Sequence, residues 1–212
     1  MFAQAIVMID FETSGMTPLQ GGRVTEVAAL RIEGGAITDR YVSLINCGVR
    51  IPGFITELTG ITQRMVDRAP PVSEVMPALL DFIGNDSLAA HNASFDEQFL
   101  KVESDRLGMR PAHDGLICSV KLARRVFPGL PSYSLGKLAK SLDIRFQGAA
   151  HRAEADAEVS AQLMLRIASE LCERHQVDAI DPQLCVRLNQ LTAAKVPGFL
   201  KQYFETQRNA YV

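Results

Sequence analysis

Asp10 and Glu12 close an apolar run, Ile6-Val7-Met8-Ile9-Asp10-Phe11-Glu12, at the point where a buried strand tolerates charge least. Side chains at i and i+2 of a strand leave the same face, so the two carboxylates point together with their Cα atoms roughly 6.5–7 Å apart. Like charges at about 4 Å repel by roughly 4 kcal/mol at an effective dielectric near 20, and desolvation adds to that. A shared cation resolves the conflict. A strand that ends at Ile9 and releases both acids to water also resolves it, and that is the commoner outcome for a bare D-x-E, so the pair alone does not establish a cation site.

Two further segments carry acids. His91-Asn92-Ala93-Ser94-Phe95-Asp96 puts Asp96 in the first turn of an expected helix, and His151-Arg152-Ala153-Glu154-Ala155-Asp156 does the same for Asp156. Taken singly, such acids complement the partial positive charge of a helix N-terminus, worth roughly 0.3–1 kcal/mol, and His151 is an ordinary loop histidine. The ordered set says more.

D-F-E-T-x-G, then H-N-A-x-F-D, then H-R-A-x-x-D-A resembles the three exonuclease motifs of the DEDD superfamily, histidine subtype, and in particular the proofreading epsilon subunit of bacterial DNA polymerase III and its DnaQ-like relatives. The resemblance runs over roughly residues 4 to 172 and includes Leu58-Thr59-Gly60-Ile61. Three motifs in order are far more specific than any one of them. The fold implied is α/β, ribonuclease H-like, with a mixed five-stranded sheet of three antiparallel and then two parallel strands flanked by helices.

The resemblance further implies that Asp10, Glu12 and Asp156 bind one divalent ion, that Asp10 bridges to a second arriving with substrate, and that Asp96 supports the second through water. Carboxylate oxygens are hard ligands suited to Mg²⁺ or Mn²⁺. Two such ions about 3.5–4 Å apart stabilise both oxygens of an in-line displacement at phosphorus. His151 is the candidate general base, because an imidazole accepts a proton near neutral pH. Thr13 and Met16 are implied to line the terminal nucleotide's pocket, Ile61 and Phe95 to pack against the last bases, and Asn92 to help hold the strand. The expected activity is release of 5′-mononucleotides from 3′ ends of single-stranded or frayed DNA, in proofreading or repair. An exoribonuclease of the ribonuclease T or oligoribonuclease kind shares the site and is the alternative. A non-catalytic partner-binding module is a second alternative, disfavoured because all five expected residues are present.

The elements that must position these residues follow from periodicity. After the first strand and a turn at Thr13–Pro18, two β-branched stretches, Val24–Ile32 and Ile37–Asn46, flank Gly34-Gly35 as a hairpin. Pro52 to Pro71 reads as a loop, and Val72, Val75, Met76, Leu79, Leu80 and Ile83 follow helical spacing. A short strand over Ser87–Ala90, a helix carrying Phe95, Phe99 and Val102, and a fifth strand within Gly115–Val120 come next. Val159, Leu163, Ile167 and Leu171 then form an i, i+4 row on a long helix beginning near Ala153. We expect an exonuclease domain over 1–175 and a helical C-terminal extension over 176–212. In the extension Asp181-Pro182 opens one helix, Pro197-Gly198 separates it from another, and Phe199, Leu200, Tyr203 and Phe204 could dock on the domain, a second copy or a polymerase.

The chain has 212 residues, 47% hydrophobic and 22% charged, enough for a sizeable core. A net charge of −2 excludes a generally basic nucleic-acid coat. Local charge is different: from Lys121 to Arg152, seven basic residues (Lys121, Arg124, Arg125, Lys137, Lys140, Arg145, Arg152) meet only one acid, Asp143, and some are candidates for phosphate contact. Four scattered cysteines with no zinc spacing, and an apolar start that lacks a basic leader, suggest a cytoplasmic protein with reduced thiols.

Overall fold

In a computed structural model, which describes residues 1–145 and 150–210, strands β1 (Ile6–Thr13), β2 (Val24–Glu33), β3 (Ala36–Leu44), β4 (Ser87–Ala90) and β5 (Leu116–Cys118) form one sheet in the order β3-β2-β1-β4-β5. The hairpin β2–β3 turns on Gly34 and Gly35, whose φ angles of 59° and 86° are those a two-residue hairpin loop demands and a side chain would oppose. β1 pairs antiparallel with β2 and parallel with β4, and β4 pairs parallel with β5. The mixed five-stranded sheet is the one the sequence implies.

Strand alternation sorts β1 between two cores. Ile6 and Met8 face the long helix α7 (Ala153–His175), whose Val159, Leu163, Ile167 and Leu171 are all fully buried. Val7, Ile9 and Phe11 face α3 (Val72–Ile83) and α4 (Ser94–Arg106) through Val75, Met76, Leu79 and Phe99. Asp10 and Glu12 continue the row of Ile6 and Met8, toward α7. β1 does not end at Ile9: its pairing with β2 runs on through Asp10↔Ala28 and Glu12↔Glu26.

Some elements differ from expectation. The stretch read as a loop folds into two short helices, α1 (Gly53–Thr59) and α2 (Gln63–Asp67), which pack Ile55, Ile61 and Val66 into a small cluster with Cys47 and Ile51. Helices of seven and five residues are too short to display a period; their caps define them. Gly60 ends α1 at φ 74°, and the Thr62 hydroxyl accepts from the Met65 N–H at 3.3 Å to start α2. β5 is three residues long because the chain enters α5 (Ser119–Val126) directly, and α6 (Leu135–Ser141) follows.

The C-terminal segment docks on the domain. Asp181 caps α8 (Pro182–Gln190), accepting from the Gln183 N–H at 2.8 Å. The break comes at Leu191-Thr192, and Pro197 and Gly198 lie in the first turn of α9 (Val196–Ala210), where proline's missing N–H costs nothing. Leu184, Cys185, Leu188, Val196, Leu200 and Phe204 join the α7 core, and His175 stacks on Phe204 with ring centroids 4.3 Å apart. The side chain of Asn189 acts as a substitute strand at the sheet edge, its Oδ1 accepting from the Cys118 N–H at 2.5 Å and its Nδ2 donating to the Cys118 carbonyl at 3.3 Å. No helix among the described residues is long and apolar enough to cross a membrane. Two hydrogen bonds at about 0.5–1.5 kcal/mol each imply that Asn189→Ala lowers unfolding free energy by about 1–3 kcal/mol. Urea denaturation checks this, and an unchanged midpoint would contradict the edge-capping role.

Candidate active site

The site lies where β4 stops. Parallel pairing between β1 and β4 ends at Ile9↔Ala90, so the last residues of β1 run past their neighbour, and the crevice opens at the carboxyl ends of two parallel strands. The chain leaves β4 through His91 and Asn92. Asn92 takes φ 68°, a left-handed conformation asparagine tolerates better than most residues, and this turn starts α4 within a few residues of the strand. Asp96, in the first turn of α4, then accepts a hydrogen bond from the Phe11 N–H at 3.2 Å. It takes the backbone donor that β4 no longer pairs, and fixes the peptide between Asp10 and Glu12.

From the other face comes the N-terminus of α7. Asp156, in its first turn, Asp10 and Glu12 each bring a carboxylate oxygen within 4.8 Å of the other two. The approach is held by Glu26, a buried acid on β2 directly opposite Glu12. Its carboxylate takes the Arg152 guanidinium in a two-point ion pair, with Nε at 3.0 Å, and accepts the Ala153 N–H at 3.0 Å. His151 lies just before this clamp, with φ 61° and its N–H on Asp156 Oδ2 at 3.2 Å, and lines the same pocket.

Charge in this cluster is unbalanced. Burial first, then Asp96, Asp156, Glu12 and Glu26, push the Asp10 carboxyl well above the usual carboxylate range. Glu12 is pushed up to about 7 by burial, Asp156 and Glu26, with Arg152 opposing. Burial raises Asp96 to about 8 against the pull of the Phe11 N–H, and burial raises Asp156. Arg152, the guanidinium beside this group, is committed to Glu26. Three converging carboxylates with a deficit of positive charge fit a divalent cation by donor type and by electrostatics.

A pocket of about 220 Å³ covers the cluster. Thr13, Met16, Asn92 and Phe95 line it together with Asp10, Glu12, Asp96, His151 and Asp156, so the sequence-derived residues converge with one exception. Ile61 is fully buried in the α1–α2 cluster, where its side chain is core and offers no surface to a base; Leu58, three residues earlier, lines the pocket instead. The turn carrying Met16 is tied by Thr13 Oγ1 donating to the Gly15 carbonyl at 2.7 Å, and by Gly22, where a Cβ would sit 2.8 Å from the Thr17 carbonyl oxygen.

Sequence reasoning missed Glu26, for which an acid opposite Glu12 in the β2 register was the available signal. His91, from the same segment as Asp96, lines the pocket, meets Ser119 Oγ at 2.8 Å, and is driven down to about 4 by burial, so it is neutral at pH 7. Of the seven basic residues before the long helix, Arg152 is held by Glu26 and Arg125 by the carbonyls of Lys121, Asn189 and Leu191. Lys121 and Arg124 line a separate groove that reaches Asn92.

The raised acids set a sign for stability. Between the ordinary carboxylate range and the values near 7 and 8 of Glu12 and Asp96, the folded protein retains protons the unfolded chain has lost, so stability falls as pH rises through that window. In EDTA the melting temperature is expected to be lower at pH 8 than at pH 5.5, and a divalent cation should raise it more at pH 8. Equal melting at both pH values without metal would contradict this electrostatic account.

Residues 7–164 match the profile of the RNase T exonuclease family. The chain is 36% identical over 165 residues to the DNA polymerase III epsilon subunit of Aquifex aeolicus, covering 78% of this chain and 81% of that one. It is 32% identical over 214 aligned residues to the 3′–5′ exonuclease DinG of Bacillus subtilis, covering 95% of this chain but only 23% of DinG. Among solved structures, Exonuclease X in complex with 5′-overhanging duplex DNA superposes with a TM-score of 0.68 at 26% identity, covering 87% of this chain and 99% of that one. With the ribonuclease H-like sheet, the acidic cluster and these relatives together, the chain belongs to the DEDD 3′–5′ exonuclease family of the DnaQ-like, histidine subtype.

Proposed function

We propose that this protein removes nucleotides from the 3′ ends of single-stranded or frayed DNA and releases 5′-mononucleotides. The observation that carries the proposal is the convergence of Asp10, Glu12 and Asp156 within 4.8 Å beneath an open pocket that His151 also lines. DNA as substrate is supported by the epsilon relative, most of whose length the chain covers, and by the DNA complex of Exonuclease X.

In this reading Asp10, Glu12 and Asp156 would hold one Mg²⁺ or Mn²⁺, and Asp10 with Asp96 would serve a second, carboxylate oxygens being the hard ligands such ions take. When bound, the ions stabilise charge on the attacking and departing oxygens of an in-line displacement at phosphorus. The chain's own work is placement and proton transfer. His151, at the solvent-facing side, takes the proton from the attacking water, and its loop is held in register by the bond from its N–H to Asp156. Asp96 keeps the Asp10–Glu12 backbone fixed through Phe11. Thr13 and Met16 receive the terminal nucleotide, and Phe95 and Asn92 line the same pocket.

The test is digestion of matched DNA and RNA oligonucleotides, labelled at the 3′ or 5′ end, with Mg²⁺ or with EDTA. Wild type is expected to release labelled mononucleotide from the 3′ end of DNA only when Mg²⁺ is present. Asp10→Ala should lower that rate by at least about 100-fold without lowering the metal-free melting temperature. Retained activity would refute the metal assignment, and faster digestion of RNA would reassign the substrate.

A further inference from the structure

Six large apolar side chains stand well exposed among the described residues, and four of them lie on two segments beside the pocket: Met16 (77%) and Leu19 (86%) on the turn after β1, Phe54 (61%) and Leu58 (52%) on α1. Helix α1 is two-sided. Ile55 and Thr59 are buried against the domain, while Phe54 and Leu58, spaced i and i+4, share the outer face. Leu58 lines the pocket together with Ile55 and Thr59, and Phe54, one turn before Leu58 on the outer face, stands outside its lining. A protein leaves such a row in water at a cost, and its continuity with the pocket says what covers it.

We propose that the outer face of α1 is a stacking ledge for unpaired nucleobases upstream of the terminal nucleotide, with Phe54 as its aromatic platform. Four residues of helix advance about 6 Å, against about 3.4 Å per nucleotide along a stacked strand, so Phe54 meets a base nearly two positions upstream of the one beside Leu58. Every base has a π face, so an aromatic platform binds without regard to sequence. A base in a duplex has its faces already covered, so the ledge favours frayed or single-stranded ends. This inference rests on the exonuclease reading and deepens it by naming what selects the strand.

The test compares wild type, Phe54→Ala and Phe54→Trp in binding a fluorescent thymidine dinucleotide and octanucleotide by anisotropy with Ca²⁺ in place of Mg²⁺. Phe54→Ala is expected to weaken octanucleotide binding by roughly 5- to 150-fold, the range of one lost base stack, and the loss should be far smaller for the dinucleotide. Phe54→Trp should restore the octanucleotide. Equal losses at both lengths, an unchanged octanucleotide affinity, or wild type failing to bind the octanucleotide would overturn the ledge. So would a dimer in sedimentation that Phe54→Ala dissociates, which gives the face to a second copy of the chain. Nucleotide release from the same oligonucleotides in Mg²⁺ is scored separately. Its absence in wild type defeats the exonuclease reading, whereas release with Phe54→Ala indistinguishable from wild type defeats only the ledge.

Discussion

Everything in this molecule is arranged around a repulsion. A strand's two-residue repeat throws Asp10 and Glu12 to one side of β1, and a helix N-terminus adds Asp156 to the same point. Burial raises all three, so ionising them together opposes the packing that gathers them. Folding nevertheless holds the acids together, because they sit at the end of a strand whose first half is fixed by Ile6, Val7, Met8 and Ile9 in two cores. The hydrophobic layers supply the stability that the carboxylates oppose.

Two polar devices on opposite faces of the sheet convert that placement into a fixed geometry. The ion pair of Glu26 with Arg152, reinforced by the Ala153 N–H, seats the start of α7 on β2. The bond from Phe11 to Asp96 seats the start of α4 on β1. Each helix is entered through a left-handed residue, Asn92 or His151, and each is tied to the sheet by its anchor just beyond that turn. The strained turns and the anchors serve the same end.

The sequence is most transparent where one element decides a residue's environment. Strand alternation gave the shared direction of Asp10 and Glu12, the Gly34-Gly35 pair gave the hairpin, and the Val159–Leu171 row gave the buried face of α7. It is opaque where a residue's surroundings come from elsewhere in the chain. Ile61 looked like a base contact within a motif, but the short helices α1 and α2 turn it inward, and nothing in a seven-residue helix announces which side faces out. Glu26 lay unnoticed in a β-branched strand because its partner is 126 positions away. Pro197 marked a break that its neighbours placed earlier, since proline suits the first turn of a helix as well as its end.

The measurement that bears most directly on this account is anomalous diffraction at the manganese edge from crystals grown with Mn²⁺. The account predicts a peak among the side chains of Asp10, Glu12 and Asp156 that Asp10→Asn weakens or removes. A protein that crystallises in Mn²⁺ with no peak there, and with the three carboxylates in hydrogen bonds to one another, would contradict it.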